Sequence, residues 1–394
     1  MDERAGQLHG LLEEADAAAP VESLDVVAED LRRRFGAETV SFLIVDLTGR
    51  AVVRLTTAGS VKSGRRAERI ELFGSVYGQV VRTQQSHQEP VARGQLVITP
   101  VTNRGDAIGL LELTLPTSPE EPVLRAVREA ARALAYIVIA NQRYTDLYTW
   151  GKRTTPLSLP AEIQYRLLPA SLSCETAQFA MSCALEPSAS ISGDTFDYAL
   201  DRETLHVSLT DPMGHDLDAA LLATVLVGAL RRARRAGAGI TEQARQANQA
   251  LLDYDRGHST GQLLRINLRD GQTQFVNAGH PWPLRVRQGR VEEVTIAIDA
   301  PLGLLRPHTY QIQSLDLRPR DRLVMLTDGM LEGGSEGVDL AAVLHDSQDL
   351  HPRETALALT TAVLEANGGR LVDDASVIVL DWHGAHRPTS TSPP

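Results

Sequence analysis

Cysteine is nearly absent from this chain. Only Cys174 and Cys183 occur in 394 residues. That count argues against a disulfide framework or a thiolate metal site and fits a reducing cytoplasm. Positive charge is also short: 39 Lys and Arg against 50 Asp and Glu give a net charge of −11. Nucleic-acid binding relies on neutralising phosphates, so this balance argues against it, and it disfavours an anionic membrane surface. Long apolar runs are missing. The longest clean one, AALLATVLVGAL (219–230), is far short of the roughly 20 residues that span a bilayer as a helix. The start, MDERAGQLHG, lacks the charged-then-apolar layout of a signal peptide. The end, HRPTSTSPP, reads as a disordered tail. Aromatics make up 4%, but 43% hydrophobic residues overall suffice for ordinary cores, and the length suits two or three domains.

Several segments announce their structure. SLDVVAEDLRRRFG (23–36) places Leu24, Val27, Ala28, Leu31 and Phe35 on one helical face, with Ser23 placed to cap the start and Gly36 the end. Strands are predicted at 39–46, 51–58, 96–101 and 107–115, with a helix near 75–84. A long helix begins at SPEEP (118–122). Its stripe of Leu124, Val127, Ala131, Leu134 and Val138 suits its own sheet or a second helix. Helix-friendly residues run on to Trp150, which suggests a connector or dimer seam. From about 175 the chain turns to short strands and tight turns. TLHVSLTD, QLLRINLRDGQTQFVNAG, WPLRVRQGRVEEV, YQIQSLDL, DRLVMLTDG and DASVIVLDW read as strands, with hairpin turns at RDGQ and RQGR. Helices are predicted at 218–235, 242–253 and 352–366. The expected class is α+β with layered antiparallel sheets.

Acids recur at strand ends. Asp211 closes LHVSLT and opens the turn DPMGHD. Asp328 does the same in RLVMLTDGM. Asp373 and Asp374 stand just before ASVIVL, and Asp194 and Asp197 lie in ISGDTFDYAL. Carboxylates gathered at such rims would repel one another and shift upward in pKa. Hard divalent cations, Mg²⁺ or Mn²⁺, relieve that by taking carboxylate, carbonyl and water oxygens. Each acid is equally a turn former or helix cap by pattern alone, and capping of the 219–235 helix is the expected use of Asp216 or Asp218.

In order, AEIQYRLLP, SGDTFD, DPMGHDLDAALLA, FVNAGHPWPL, APLGLL, LTDGMLE and DDASVIVL resemble the SpoIIE/RsbU-like branch of the PPM (type 2C) serine/threonine phosphatases. The resemblance covers about 160–382. It implies an α/β/β/α sandwich with a two-metal centre (Mn²⁺ or Mg²⁺). By motif, Asp211 would bridge both ions and Pro212 would offer its carbonyl. Asp194 would bind one ion; Asp328 and Asp373 would bind the other. Asp197 and Glu332 would stand behind these ligands. Ser192, Thr195 and Asp216 depart from the family's usual glycine, aromatic and glycine, and 252–262 looks short. His280 is expected to be structural. The N-terminal unit resembles a GAF sensor domain, through GQVVRTQQSHQEP and ITPVTNRGDAIGLLELTLP. It holds no cysteine for thioether attachment of a tetrapyrrole, and His9 and His87 are expected at the surface. The implied organisation is a helical extension (1–19), a GAF-like domain (20–148), a linker or switch segment (149–169) that couples sensor to phosphatase, a PPM-type domain (170–384) and a tail (385–394). The implied partners are a phosphorylated STAS-domain anti-anti-sigma protein, a second copy in a homodimer, and a small-molecule or protein signal at the GAF-like domain.

Two rivals come from other classes. A degenerate phosphatase fold would serve as a regulatory binding module. GHSTG (257–261) fits the G-x-S-x-G elbow of serine hydrolases, with Ser259 as nucleophile, but the elbow needs a strand before and a helix after, and here the order is reversed. The basic run RRARR (231–235) is expected to be the solvated last turn of a helix, where positive charge suits the dipole.

Overall fold

In the computed structural model, placement is described for residues 2–55, 68–153, 157–188 and 193–385, with side chains from Gly10 onward. The chain divides into two compact units, 1–156 and 157–394. Ser192, His9, the end of the predicted 51–58 strand and most of the 385–394 tail lie outside the described residues or side chains.

The first unit contains α1 (Asp2–Ala17), α2 (Ser23–Phe35), β1 (Thr39–Val45), β2 (Ala51–Leu55), β3 (Arg69–Glu71), α3 (Val76–Thr83), β4 (His87–Val91), β5 (Gly94–Asn103), β6 (Asp106–Leu115), α4 (Glu121–Asn141) and α5 (Leu147–Lys152). Its strands form one antiparallel sheet in the order β3-β2-β1-β6-β5-β4. Alternation along β1 sends Phe42 and Ile44 to one face and Leu43 to the other. The first face packs under Leu11 of α1, Leu31 of α2 and Val127, Leu134 and Val138 of α4. The second carries Val52, Ile98 and Leu110 and is covered by Val80 and Val81 of α3. Gly36 ends α2 in the left-handed conformation as expected, but the N-cap is Glu22. Ser23 is the first helical residue, and its hydroxyl donates to the Ala15 carbonyl at 3.3 Å.

Of the two readings of the α4 stripe the structure takes the first: it is buried inside this unit, against its own sheet and helices, and is not a free dimer seam. The predicted length is corrected. The helix does not run on to Trp150. It ends at Asn141, whose amide donates to Ser23 Oγ at 2.7 Å. The separate α5 then packs so closely that a Cβ on Gly151 would meet Leu55 and Ile44 side chains at 2.7 and 2.8 Å. Tertiary packing overrides local helix propensity here.

The second unit starts with α6 (Leu159–Leu167), whose first turn is capped by Ser158. It continues through β7 (Ser173–Glu175), β8 (Phe179–Glu186), β9 (Thr195–Leu200), β10 (Thr204–Pro212), α7 (Asp216–Arg235), α8 (Ile240–Tyr254), β11 (Ser259–Asn267), β12 (Thr273–Ala278), β13 (Leu284–Arg287), β14 (Arg290–Glu293), β15 (Gln313–Ser314), β16 (Asp321–Leu326), α9 (Leu340–Asp346), α10 (Pro352–Ala366) and β17 (Ala375–Trp382). Two antiparallel sheets result, β15-β12-β11-β10-β9 and β14-β13-β16-β17-β8-β7. Leu205, Val207 and Leu209 of the first meet Met181, Met325, Ile378 and Leu380 of the second in a shared central core. The outer face of the first sheet (Leu263, Val276) packs on Leu226 and Leu230 of α7 and Leu251 of α8. The outer face of the second (Val324, Leu326, Val377, Val379) packs on Leu344, Leu359 and Val363 of α9 and α10. This is a four-layer α/β/β/α sandwich, as the resemblance implied. Both hairpin turns fall where expected; at the second, Gln288 and Gly289 take φ of 52° and 75°, the primed turn that suits strand twist. YQIQSLDL is the exception, pairing only through Gln313 and Ser314.

Candidate functional site

The strand-end acids come from both sheets. Asp194 immediately precedes β9 and Asp211 is the penultimate residue of β10. Thr195 pairs with Thr210 across these strands, so the two acids leave the first sheet side by side. Asp328 opens a 3-10 turn (Asp328–Met330) just beyond β16, and Asp373 and Asp374 precede β17. Leu326 pairs with Val377, which brings those acids together at one end of the second sheet.

A hydrogen bond joins the two sets. Thr327 Oγ1 donates to Asp194 Oδ2 at 2.8 Å, while the Ser376 amide donates to Thr327 Oγ1 at 3.0 Å. Asp374, fully buried, accepts from the Ser188 amide (2.8 Å), the Gly193 amide (3.2 Å) and Gln164 Nε2 (2.6 Å). Gln164 also donates to the Asp194 carbonyl at 2.9 Å. It reaches the site from α6, within the segment expected to act as a switch. Gly329 explains the glycine of LTDG without any catalytic role: a Cβ there would fall 2.1 Å from the Asp374 carbonyl oxygen.

The electrostatics follow from burial and like charge. Burial raises Asp194 well above the usual carboxylate range, and Asp211 and Asp374 add to it. Asp211 is pushed up to about 8 by burial, then by Asp328 and Asp373. Burial, Asp373 and Glu332 raise Asp328, while its hydrogen bond with Asp211 opposes the shift. Among the described residues no basic side chain is a leading cause of any of these three shifts. Among the described residues no three His, Cys, Asp or Glu side chains converge at metal-ligating distance. The acids share one neighbourhood, pairing with each other rather than around a common point. The donor set still fits a hard divalent cation: carboxylate oxygens crowded in one neighbourhood, with Asp211 feeling the charges of Asp328 and Asp373 and acting on Asp194. Pro212 ends β10 beside Ser259 and retains its backbone carbonyl.

Other singled-out residues go elsewhere. Asp197 turns to two arginines, accepting from Arg231 Nη2 and Arg234 Nη1 at 2.8 Å each. Two members of RRARR are therefore half-buried ion-pair partners, not a solvated turn, and Arg231 also donates to the Leu167 carbonyl at the end of α6 at 2.5 Å. Glu332, by contrast, acts on Asp328. Neither Asp216 nor Asp218 makes a capping hydrogen bond: α7 begins at Asp216, with both acids in its first turn. Asp216 has φ +59°, the left-handed region that a glycine occupies without strain. Thr195, in place of an aromatic, shares a 2.7 Å hydrogen bond with Thr210. The 252–262 connection is short because α8 reaches Tyr254 and β11 starts at Ser259.

Ser259 is fully buried, and its hydroxyl donates to the Thr260 carbonyl at 2.8 Å, so it is no exposed nucleophile. His280 is 1% exposed and shares a 2.7 Å hydrogen bond with Thr260 Oγ1 through Nδ1. Its Nε2 is buried without a partner in hydrogen-bond geometry, and burial lowers the imidazole pKa to about 3. It is a neutral structural group. His87 is half-buried, 3.3 Å from Glu89.

Residues 201–383 match the family model "Stage II sporulation protein E (SpoIIE)". The C-terminal unit thus contains a SpoIIE-type domain. The family match takes in Asp211, Asp328 and Asp373; Asp194 lies ahead of it. The phosphoserine phosphatase RsbP of Bacillus subtilis is 26% identical over 152 residues, 37% of this chain and 38% of RsbP. Stage II sporulation protein E of the same organism is 24% identical over 197 residues, 48% of this chain and 24% of that protein. The phosphoserine phosphatase RsbU of B. subtilis is 22% identical over 232 residues, 57% of this chain and 69% of RsbU. The chain thus spans well under half the length of RsbP and of SpoIIE. Among solved structures, the PP2C phosphatase domain of SpoIIE from B. subtilis with a fragment of its regulatory domain aligns with a TM-score of 0.46 and 22% identity, over 54% of this chain and 66% of that one. Among the described residues no helix is long and apolar enough to cross a membrane.

Proposed function

We propose that this protein is a metal-dependent serine/threonine phosphoprotein phosphatase, that its substrate is a phosphorylated STAS-domain anti-anti-sigma protein, and that the N-terminal unit is a GAF-like sensor responding to a small molecule or protein. The observation that carries this is Asp211. A strand holds its carboxyl within reach of the charges of Asp194, Asp328 and Asp373, and it is pushed up to about 8. A stable fold has little use for such a cluster unless a cation compensates it.

Asp194, Asp211 with the Pro212 carbonyl, Asp328 and Asp373 would hold Mn²⁺ or Mg²⁺. Two such ions, when bound, neutralise charge and supply Lewis acidity for in-line displacement at phosphorus. The chain's own part is positioning. Thr327 fixes the Asp194 carboxyl across the two sheets. Asp374 and Gln164 tie down the backbone at 188, 193 and 194. β10 holds Asp211 in register through nine residue pairs with β11.

A catalytically degenerate binding module is the second reading, and the lack of a three-ligand cluster among the described residues favours it. One experiment separates them. Purified protein is assayed with MnCl₂ or EDTA on p-nitrophenyl phosphate and on a panel of phosphorylated STAS-domain proteins. Mn²⁺-dependent release that falls at least about 100-fold in Asp211→Asn, with unchanged circular dichroism, supports the phosphatase. Partner binding without turnover supports the module. Full activity in Asp211→Asn overturns the ligand role.

A further inference from the structure

Beside the acid cluster, the second unit exposes large apolar side chains that its own core does not use. Met213 follows directly on Asp211 and Pro212. Leu217 and Leu221 lie one turn apart on α7, facing the same way. Leu304 and Leu305 follow Gly303. All five are between 39% and 50% exposed.

The backbone makes them neighbours. The Met213 amide donates to the His258 carbonyl at 3.0 Å, and Ser259 and Leu302 exchange backbone hydrogen bonds at 2.9 and 2.8 Å. Segments 212–213, 258–259 and 302 therefore run side by side. Packing closes the remaining gaps: a Cβ on Gly257 would lie 3.2 Å from Met213 Sδ and 3.3 Å from Leu222, and one on Gly303 would lie 3.1 Å from the Gly257 carbonyl oxygen. Met213 and the 303–305 loop are thus brought together beside the strand end that carries Asp211, and α7, with Leu217 and Leu221 in its first turns, starts three residues after Met213. Asn248 holds the far lip, accepting from the Gly303 amide at 2.7 Å and donating to the Leu305 carbonyl at 3.1 Å, so the two leucines are presented on a fixed backbone.

We propose that this apolar patch is the docking surface for the folded phosphoprotein substrate, a deepening that rests on the phosphatase assignment above. Charge selects the occupant. The chain carries −11 overall and the site is acidic, so an anionic phosphoprotein gains no long-range attraction on approach. Affinity has to come from short-range apolar contact. The phosphorylated side chain of a folded protein reaches the acids only if the surface around it meets the rim, and the rim next to Asp211 is this patch. A small aryl phosphate needs none of it.

The test uses the full chain with Mn²⁺. Substrates are p-nitrophenyl phosphate and a serine-phosphorylated STAS-domain protein that the wild type turns over. Leu217→Gln and Leu304→Ser should each raise KM for the phosphoprotein about tenfold, the range of a central interface residue, while kcat on it stays within twofold. Rates on p-nitrophenyl phosphate should also stay within twofold. Leu200→Ser, at the other end of β9 and also exposed, should change neither. Equal losses on both substrates mean a structural effect and overturn the proposal, as does no loss on either. A shift in oligomeric state in the two patch variants assigns the patch to a second copy and likewise overturns it. If the wild type hydrolyses neither substrate, phosphatase activity itself is absent and the docking surface falls with it; hydrolysis of p-nitrophenyl phosphate with insensitive patch variants refutes the docking surface alone.

Discussion

Acid should unfold the C-terminal unit in part through one imidazole. His280 is 1% exposed, between Thr260 and the end of β16. Its pKa is lowered to about 3 from an ordinary 6.5, chiefly by burial. In the unfolded chain the same ring titrates near 6.5. Between pH 6.5 and 3 the unfolded state therefore binds a proton that the folded state does not, and stability falls as pH falls. The contribution is fully present above pH 6.5 and declines by about 1.4 kcal/mol per unit below it. From pH 6.5 to 4.5 the loss is about 2.5 kcal/mol, which for a domain of this size lowers Tm by roughly 5–10 °C. The assay is thermal unfolding across that window for wild type and His280→Gln. The variant starts lower, because it loses the bond to Thr260, but its Tm should fall less steeply with acid. Burial also lowers His206 and His351; both proteins retain them, so their share cancels in the difference. Parallel slopes would refute a neutral, buried His280.

Three further outcomes follow from particular contacts. Mn²⁺ at about 100 times its Kd should raise the stability of the C-terminal unit by about 2.7 kcal/mol, read as a Tm increase that EDTA reverses; no shift at any Mn²⁺ concentration would count against the carboxylate site. Arg322→Met should destabilise by about 3–5 kcal/mol in denaturant titration, because the buried guanidinium grips Asp381 at 2.6 and 2.8 Å and also serves Thr355 and the Ser347 and Leu350 carbonyls. Gly329→Ala should cost about 1–3 kcal/mol and depress phosphate release, since the new methyl needs space held by the Asp374 carbonyl; a variant with wild-type Tm and rate would show that the loop yields freely.

The sequence revealed most where one physical rule dominated. Alternation marked β10 and runs rich in Val and Ile marked β1 and β17, and the four-layer sandwich then follows from sending Leu323 and Met325 inward and Val324 and Leu326 outward. β8 carried no such signal: FAMSCALE is buried along nearly its whole length, and its small residues Ala180, Ser182 and Ala184 hide the period. YQIQSLDL alternated well, yet only two of its residues found a partner strand. At the site, Asp211 and Asp328 stood out because a charge at the end of a buried strand is conspicuous. Gln164 and Thr327 did not. An uncharged side chain that donates a hydrogen bond from a helix, or from just past a strand, has no pattern of its own; only coordinates link Gln164 to Asp374 across 210 residues of chain.

Asp373 and Asp374 show why motif alone divides such roles poorly. Asp373 lies in a bend and half-exposed, Asp374 leads into β17 and is buried, so the two adjacent acids do not share a fate. Asp373 stays partly exposed, accepts the Asp374 amide at 2.7 Å and acts on Asp211 and Asp328. Asp374 is sealed, and two amides and Gln164 fill its oxygens. Asp374 therefore holds the loop that carries Asp194, while Asp373 keeps lone pairs free to face a cation. The two amide substitutions should part accordingly. Asp373→Asn should weaken Mn²⁺ binding with Tm nearly unchanged. Asp374→Asn keeps the shape but weakens charge-assisted acceptance, so it should lower Tm by more than it weakens Mn²⁺ binding. Calorimetry with Mn²⁺ beside thermal unfolding reads both effects, and a reversed pattern would exchange the two roles.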